Sequence, residues 1–157
     1  MARDPREGAM FGPRAMSSRD RGPVVVVDDD PLVLRVVTRS LETAGFRVIA
    51  RESGFGLSAV LSSEQPTVVV LDVSMPGLDG PGVWGVARTV VSPAPSVIFY
   101  SAAEPAALTA LAARYPEARA LVKPAGVTQV LQIVEEAHRE SERRGAARRT
   151  PPRGSPR

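Results

Sequence analysis

The chain contains no cysteine and a single histidine, His138. The first absence excludes disulfide frameworks, thiolate nucleophiles and cysteine-based zinc or iron–sulfur sites. The second excludes a histidine-rich metal centre. There is no run of about 18 or more apolar residues, the length that a membrane-crossing helix needs. The N-terminus offers charged, Gly and Pro residues where a secretion signal needs an apolar segment, so a cytoplasmic location without membrane contact is expected. What is present is 157 residues with 43% hydrophobic content. That is enough to bury the core of one compact domain and leaves no length for a second.

The net charge of +3 is spread unevenly. Residues 1–22 carry five arginines against three acids, and residues 138–157 carry seven against two. Between them, eight basic residues face twelve acids, so the body is acidic and the ends are basic. Both ends are biased to Arg, Gly, Pro and Ser, a composition that buries too little apolar surface to order itself. The expected organisation is a disordered tail over 1–22, a folded domain over 23–143 and a disordered basic tail over 144–157. Met16 is an alternative start. Arginines of the C-terminal tail offer non-specific contacts to phosphates, but the acidic body opposes them, and nucleic acid is not the expected partner.

Between the ends, apolar runs of strand length alternate with segments of helical period. Strands are expected at 24–28, 47–51, 67–72, 96–101 and 119–123. Three of them are nearly continuous Val, Ile, Leu and Phe, as in strands covered on both faces. Helices are expected to begin near Pro31, Gly54, Gly80, Glu104 and Val127. Pro31 suits a first helical position and Gly45 a helix stop. The last helix shows Val127, Val130, Leu131 and Val134 as one apolar stripe. Five strand–helix repeats imply right-handed crossovers and an α/β fold, a doubly wound five-stranded parallel sheet with helices on both faces. The order 2-1-3-4-5 is the economical one, and functional groups in such sheets gather beyond the carboxyl ends of the strands.

Those ends carry Asp28 and Asp29, Asp72, Ser101 and Lys123. Asp72 closes the apolar run T-V-V-V-L-D and is followed by V-S-M-P-G-L-D-G, so a buried strand lifts a carboxylate onto a Pro-Gly turn. Two ionised carboxylates about 4 Å apart repel by roughly 4 kcal/mol at an effective dielectric of 20. Several acids therefore share a cleft only when a cation joins them or some are protonated. With oxygen ligands alone, a hard divalent ion is expected, and magnesium fits best because it takes one or two carboxylates, waters and phosphate oxygens. Lys123 adds a fixed positive charge and Ser101 a hydroxyl donor. These are the parts needed to accept a phosphoryl group and stabilise its oxygens.

Four motifs stand in order: V-V-V-D-D-D-P at 25–31, V-V-L-D-V-S-M-P-G-L-D-G at 69–80, F-Y-S-A at 99–102 and V-K-P at 122–124. With them, residues 24–137 resemble the receiver domain of bacterial two-component response regulators, whose flavodoxin-like fold has the same strand order. The resemblance implies that Asp72 is the phosphoacceptor and that Asp29 binds Mg2+ directly, with Asp28 beside it through water. It also implies that the Ser74 backbone carbonyl completes the metal site, that Ser101 and Lys123 meet the phosphoryl group, and that a cis peptide bond precedes Pro124. Asp30 matches no catalytic position. The implied partners are a histidine kinase or phosphotransfer protein as donor and an unknown downstream protein for output. A stand-alone receiver, monomeric or weakly homodimeric, is expected; it catalyses its own phosphorylation and dephosphorylation but acts as a switch.

Other residues read more plainly. Asp30 and Asp79 suit helix N-caps, Trp84 a packing role and His138 a solvated helix face. Many receivers place an aromatic side chain three residues before the lysine, where it turns inward with the Ser or Thr; here that position is Ala120. Ala125 likewise follows K-P where an aromatic is common. Tyr100 and Tyr115 lie near in sequence, but strand alternation points Tyr100 away from Ser101. Two further functions stay open: a phosphate sink or shuttle without conformational output, and nucleic-acid binding through the C-terminal arginines. A metal-dependent phosphatase fits less well, because Ser74 stands where its second acid belongs.

Overall fold

The computed structural model describes residues 21–149, and within them strands and helices alternate along the chain. They are β1 (Val24–Val27), α1 (Pro31–Thr43), β2 (Val48–Arg51), α2 (Leu57–Glu64), β3 (Val68–Asp72), α3 (Gly80–Val90), β4 (Ser96–Ser101), α4 (Pro105–Ala113), β5 (Ala118–Val122) and α5 (Val127–Arg149). All strand pairs are parallel in the expected order β2-β1-β3-β4-β5. The register sets Val27 beside Leu71, Asp72 beside Tyr100 and Ser101 beside Val122. Residues that follow β1, β3, β4 and β5 are thereby delivered to one edge.

Strand alternation sorts the apolar residues into two cores. Val24, Val26, Val68, Val70, Ile98 and Tyr100 pack with Leu34, Val37 and Leu41 of α1 and with Val130 and Val134 of α5. Val25, Val27, Val69, Leu71, Val97 and Phe99 pack with Leu57 and Leu61 of α2, Ala87 of α3 and Leu108 of α4. Each fully buried Val or Leu contributes about 1.5–3 kcal/mol, so the sheet is held from both sides. This is why its strands carry apolar residues at consecutive positions.

Local punctuation follows the expected chemistry in several places. The Asp30 carboxylate caps α1, accepting from the N–H groups of Leu32 at 2.9 Å and Val33 at 3.3 Å. Asp79 caps α3 by accepting from Gly82 N–H at 3.1 Å. Gly45, at φ 91°, follows the end of α1.

Other expectations need correction. The second helix begins at Leu57 rather than near Gly54, because Gly56 takes a left-handed conformation at φ 69° and holds the chain in a turn until then. The first strand ends before Asp28 and the fifth before Lys123, leaving both side chains on the loops beyond the ladder. The boundaries of the expected tails also move. Arg21 already pairs with Glu135 at 3.5 Å, and α5 passes 143 without a break to Arg149. The remainder of each tail, 1–20 and 150–157, lies outside the described residues.

The continuation of α5 has a packing cause. Val130, Val134, His138, Ser141 and Gly145 recur at helical spacing and are all buried, so the inward stripe runs on through small and polar residues. His138 is consequently not a solvated residue: it is 4% exposed. Its Nδ1 lies 3.0 Å from Thr67 Oγ1, and its ring meets Phe46 edge-on.

Candidate functional site

The cleft forms where β1, β3, β4 and β5 end. Asp28 and Asp72 are 1% and 3% exposed, although both are carboxylates, whereas Asp29 faces solvent. Each offers an oxygen, and the three oxygens lie within 4.8 Å of one another. Such closeness demands positive charge. Lys123 supplies part of it, its Nζ standing 2.5 Å from Asp28 Oδ2 and 3.2 Å from Asp72 Oδ2. Burial, the largest single influence on this lysine, works against its charge. The close negative charge of Asp28 and then of Asp72 outweighs burial, so the ammonium is held above the usual lysine range.

Backbone groups orient the acids. Asp30 N–H donates to Asp28 Oδ1 at 2.9 Å, and Ser74 N–H donates to Asp72 Oδ1 at 2.8 Å. Asp28 Oδ2 is fully buried and receives no well-directed hydrogen bond. Its close contact with Lys123 is therefore an ion pair of poor angle that leaves lone-pair capacity unused. One ammonium among three carboxylates also leaves the cleft net negative. A divalent ion with oxygen preference fits both facts, since it needs carboxylate oxygens and compensates charge.

Ser101, wholly buried at the end of β4, has its Oγ 2.5 Å from Ser74 Oγ. The same oxygen accepts from Ala103 N–H at 3.1 Å. The structure thus brings Asp28, Asp29, Asp72, Ser74, Ser101 and Lys123 to one edge of the sheet. It leaves Asp30 to its cap. The Lys123–Pro124 peptide bond is cis, as the resemblance implied, and a second cis bond joins Ser92 and Pro93.

Tyr100 was not foreseen as part of the site. Its ring belongs to the α1 and α5 face, away from Ser101 as alternation requires, yet its centre lies 5.0 Å from Lys123 Nζ. A cation over an aromatic face is attracted to it. The signal available in the sequence was register: Tyr100 precedes Ser101, and β5 ends level with it. Tyr115 takes a different place. It packs between Phe99 and Trp84, with ring centres 6.1 and 4.9 Å away, and Trp84 Nε1 donates to the Pro116 carbonyl at 2.9 Å. Ala120 stands beside Phe99 in the ladder and brings no ring to the cleft.

The chain can now be set beside known proteins. Among curated proteins it is similar to the probable transcriptional regulator ycf27 of Pyropia yezoensis, with 42% identity over 60 residues that cover 38% of this chain and 25% of that protein. It is also similar to the transcriptional regulatory protein KdpE of Mycobacterium tuberculosis, with 36% identity over 62 residues covering 40% of this chain and 27% of that one. The matched stretch spans about a quarter of the length of these relatives. Among solved structures, a response regulator signal receiver domain from Bermanella marisrubri is 28% identical, with a TM-score of 0.64 over 73% of this chain and 96% of that one. The response regulator receiver domain family matches residues 24–135. That match opens on the first residue of β1 and runs into α5, so it contains every strand end that builds the cleft, and the chain belongs to the response regulator receiver domain family.

Proposed function

We propose that this receiver accepts a phosphoryl group on Asp72 from a histidine kinase or a phosphotransfer protein and passes the signal on through a protein partner. The observation that carries the proposal is the placement of Asp72: a buried carboxylate at the end of β3, 3.2 Å from Lys123 Nζ and within reach of the Asp28 and Asp29 oxygens. In the transfer, an Asp72 oxygen forms a bond to phosphorus as the phosphorus–nitrogen bond of the donor imidazole breaks. The departing nitrogen keeps the electron pair and takes up a proton.

Ser74 N–H orients the Asp72 carboxylate, Lys123 offsets charge on the phosphoryl oxygens and Ser101 donates a hydrogen bond to one of them. Asp29, Asp72 and the Ser74 carbonyl would hold Mg2+, with Asp28 beside it through water, and the ion would supply positive charge to the same oxygens. No described helix is long and apolar enough to cross a membrane, which agrees with work in the cytoplasm.

Incubation with acetyl phosphate and magnesium is expected to add one acid-stable, base-labile phosphoryl group, detectable by intact mass. Asp72→Asn removes it; labelling that survives this substitution refutes the assignment.

A second role, as a phosphate sink, draws support from Ala120, which leaves the cleft without the aromatic side chain that turns inward in many receivers. Amide spectra with fluoroberyllate separate the two. A switch shifts signals from Ser101 into α4, whereas a sink confines them to the neighbours of Asp72.

A further inference from the structure

Ser101 has a donor problem that its neighbours define. A serine hydroxyl has one proton to give and two lone pairs to receive. Ala103 N–H, at 3.1 Å, occupies one lone pair of Ser101 Oγ. The remaining contact is Ser74 Oγ at 2.5 Å. If Ser74 were the donor, Ser101 would accept twice and keep an unpaired proton at a wholly buried position, a costly arrangement. If Ser101 is the donor, its proton and one lone pair are paired and only a lone pair stays open, while exposed Ser74 can turn its own proton to solvent. The second arrangement is the less costly one, and it directs the single proton of Ser101 at Ser74 rather than at Asp72.

We infer that the Ser74 side chain is a positioning residue: its hydroxyl holds the Ser101 proton until a phosphoryl group on Asp72 competes for it. This rests on the assignment of Asp72 as phosphoacceptor, and it gives Ser74 a side-chain role separate from its carbonyl. The Ser74–Ser101 bond exists only in the unmodified state, so it stabilises that state against the modified one. Phosphorylation breaks one hydroxyl–hydroxyl bond and makes one bond from Ser101 to a phosphoryl oxygen. Removing the Ser74 hydroxyl therefore favours the modified state, although Ser74 is not the donor to the phosphoryl group.

The test is a double-substitution cycle read by the affinity of the full chain for fluoroberyllate in the presence of magnesium. Ser74→Ala is expected to tighten binding about fivefold, the size of one net hydrogen bond, and Ser74→Thr, which retains a hydroxyl, to restore the original affinity. In a Ser101→Ala background, Ser74→Ala is expected to change nothing. An equal effect of Ser74→Ala with and without the Ser101 hydroxyl, or no effect in either, overturns the inference while leaving Asp72 as phosphoacceptor. Failure of the unsubstituted chain to bind fluoroberyllate overturns both.

Discussion

Lys123 is the residue on which the cleft's electrostatics turn. It contacts two carboxylates that are almost wholly buried, and its own side chain is 15% exposed. Removing one partner of a buried ion pair costs several kcal/mol, chiefly because the charge left behind has lost both water and partner. Lys123→Met, which keeps the bulk of the stem, is accordingly expected to lower stability by about 3 kcal/mol in urea unfolding at pH 7. Added magnesium should recover part of the loss by supplying the missing charge. The pH dependence has a definite sign. The folded state holds the Lys123 proton more tightly than the ordinary lysine value of 10.5, so the stabilisation is complete below that value and fades as pH rises through the higher folded value. The stability gap between wild type and Lys123→Met should narrow above pH 10.5. A gap that stays constant there would show that the loss comes from packing rather than charge.

At the scale of elements, the last turns of α5 are fixed to the body of the domain. Arg144 donates to Ser96 Oγ at 2.9 Å, and Gly145 passes so close to Pro93 that an added Cβ would sit 3.3 Å from its Cγ. Gly145→Val is therefore expected to overpack this contact and cost about 2 kcal/mol. Thermal unfolding should show a midpoint lower by several degrees, while a free tail beginning at 144 would leave it unchanged. This segment shows where the sequence stops being legible. The strands and the start of α5 announce themselves through Val, Ile and Leu at periodic positions, and Asp28, Asp72 and Lys123 are legible because each follows such a run. The inward stripe beyond Val134 passes to His138, Ser141 and Gly145, and small or polar residues that pack closely carry no hydrophobic period. The Ser74–Ser101 contact was hidden for another reason. It joins a loop to a strand end, and side-chain contacts of that kind depend on loop geometry that no local pattern encodes.

Across the whole molecule, the acidic cleft and His138 occupy opposite ends of the sheet. His138 adjoins Thr67, immediately before β3, whereas Asp72 closes that strand. Burial is the main influence on the imidazole and lowers its pKa below the ordinary 6.5; Glu142 and Glu135 oppose this, while Arg21 and Arg139 add to it. Thr67 Oγ1 and the Phe46 ring complete its surroundings, and its Nε2 lies 3.4 Å from Glu142 Oε1. Because the unfolded chain takes up this proton at a higher pH than the folded one, protonation favours unfolding. The associated stability is present above pH 6.5 and is lost as pH falls through the lower folded value. Urea unfolding between pH 7 and 5 should therefore show wild type losing stability more steeply than His138→Gln, which offers Thr67 a polar group but does not titrate in this window. Carboxylates other than Glu142 and Glu135, which face the imidazole, contribute to both proteins and cancel in the comparison. Parallel slopes would mean that Glu142 and Glu135 compensate burial fully, and a steeper slope in the Gln variant would mean that they prevail, with the protonated imidazole bound more tightly in the folded state.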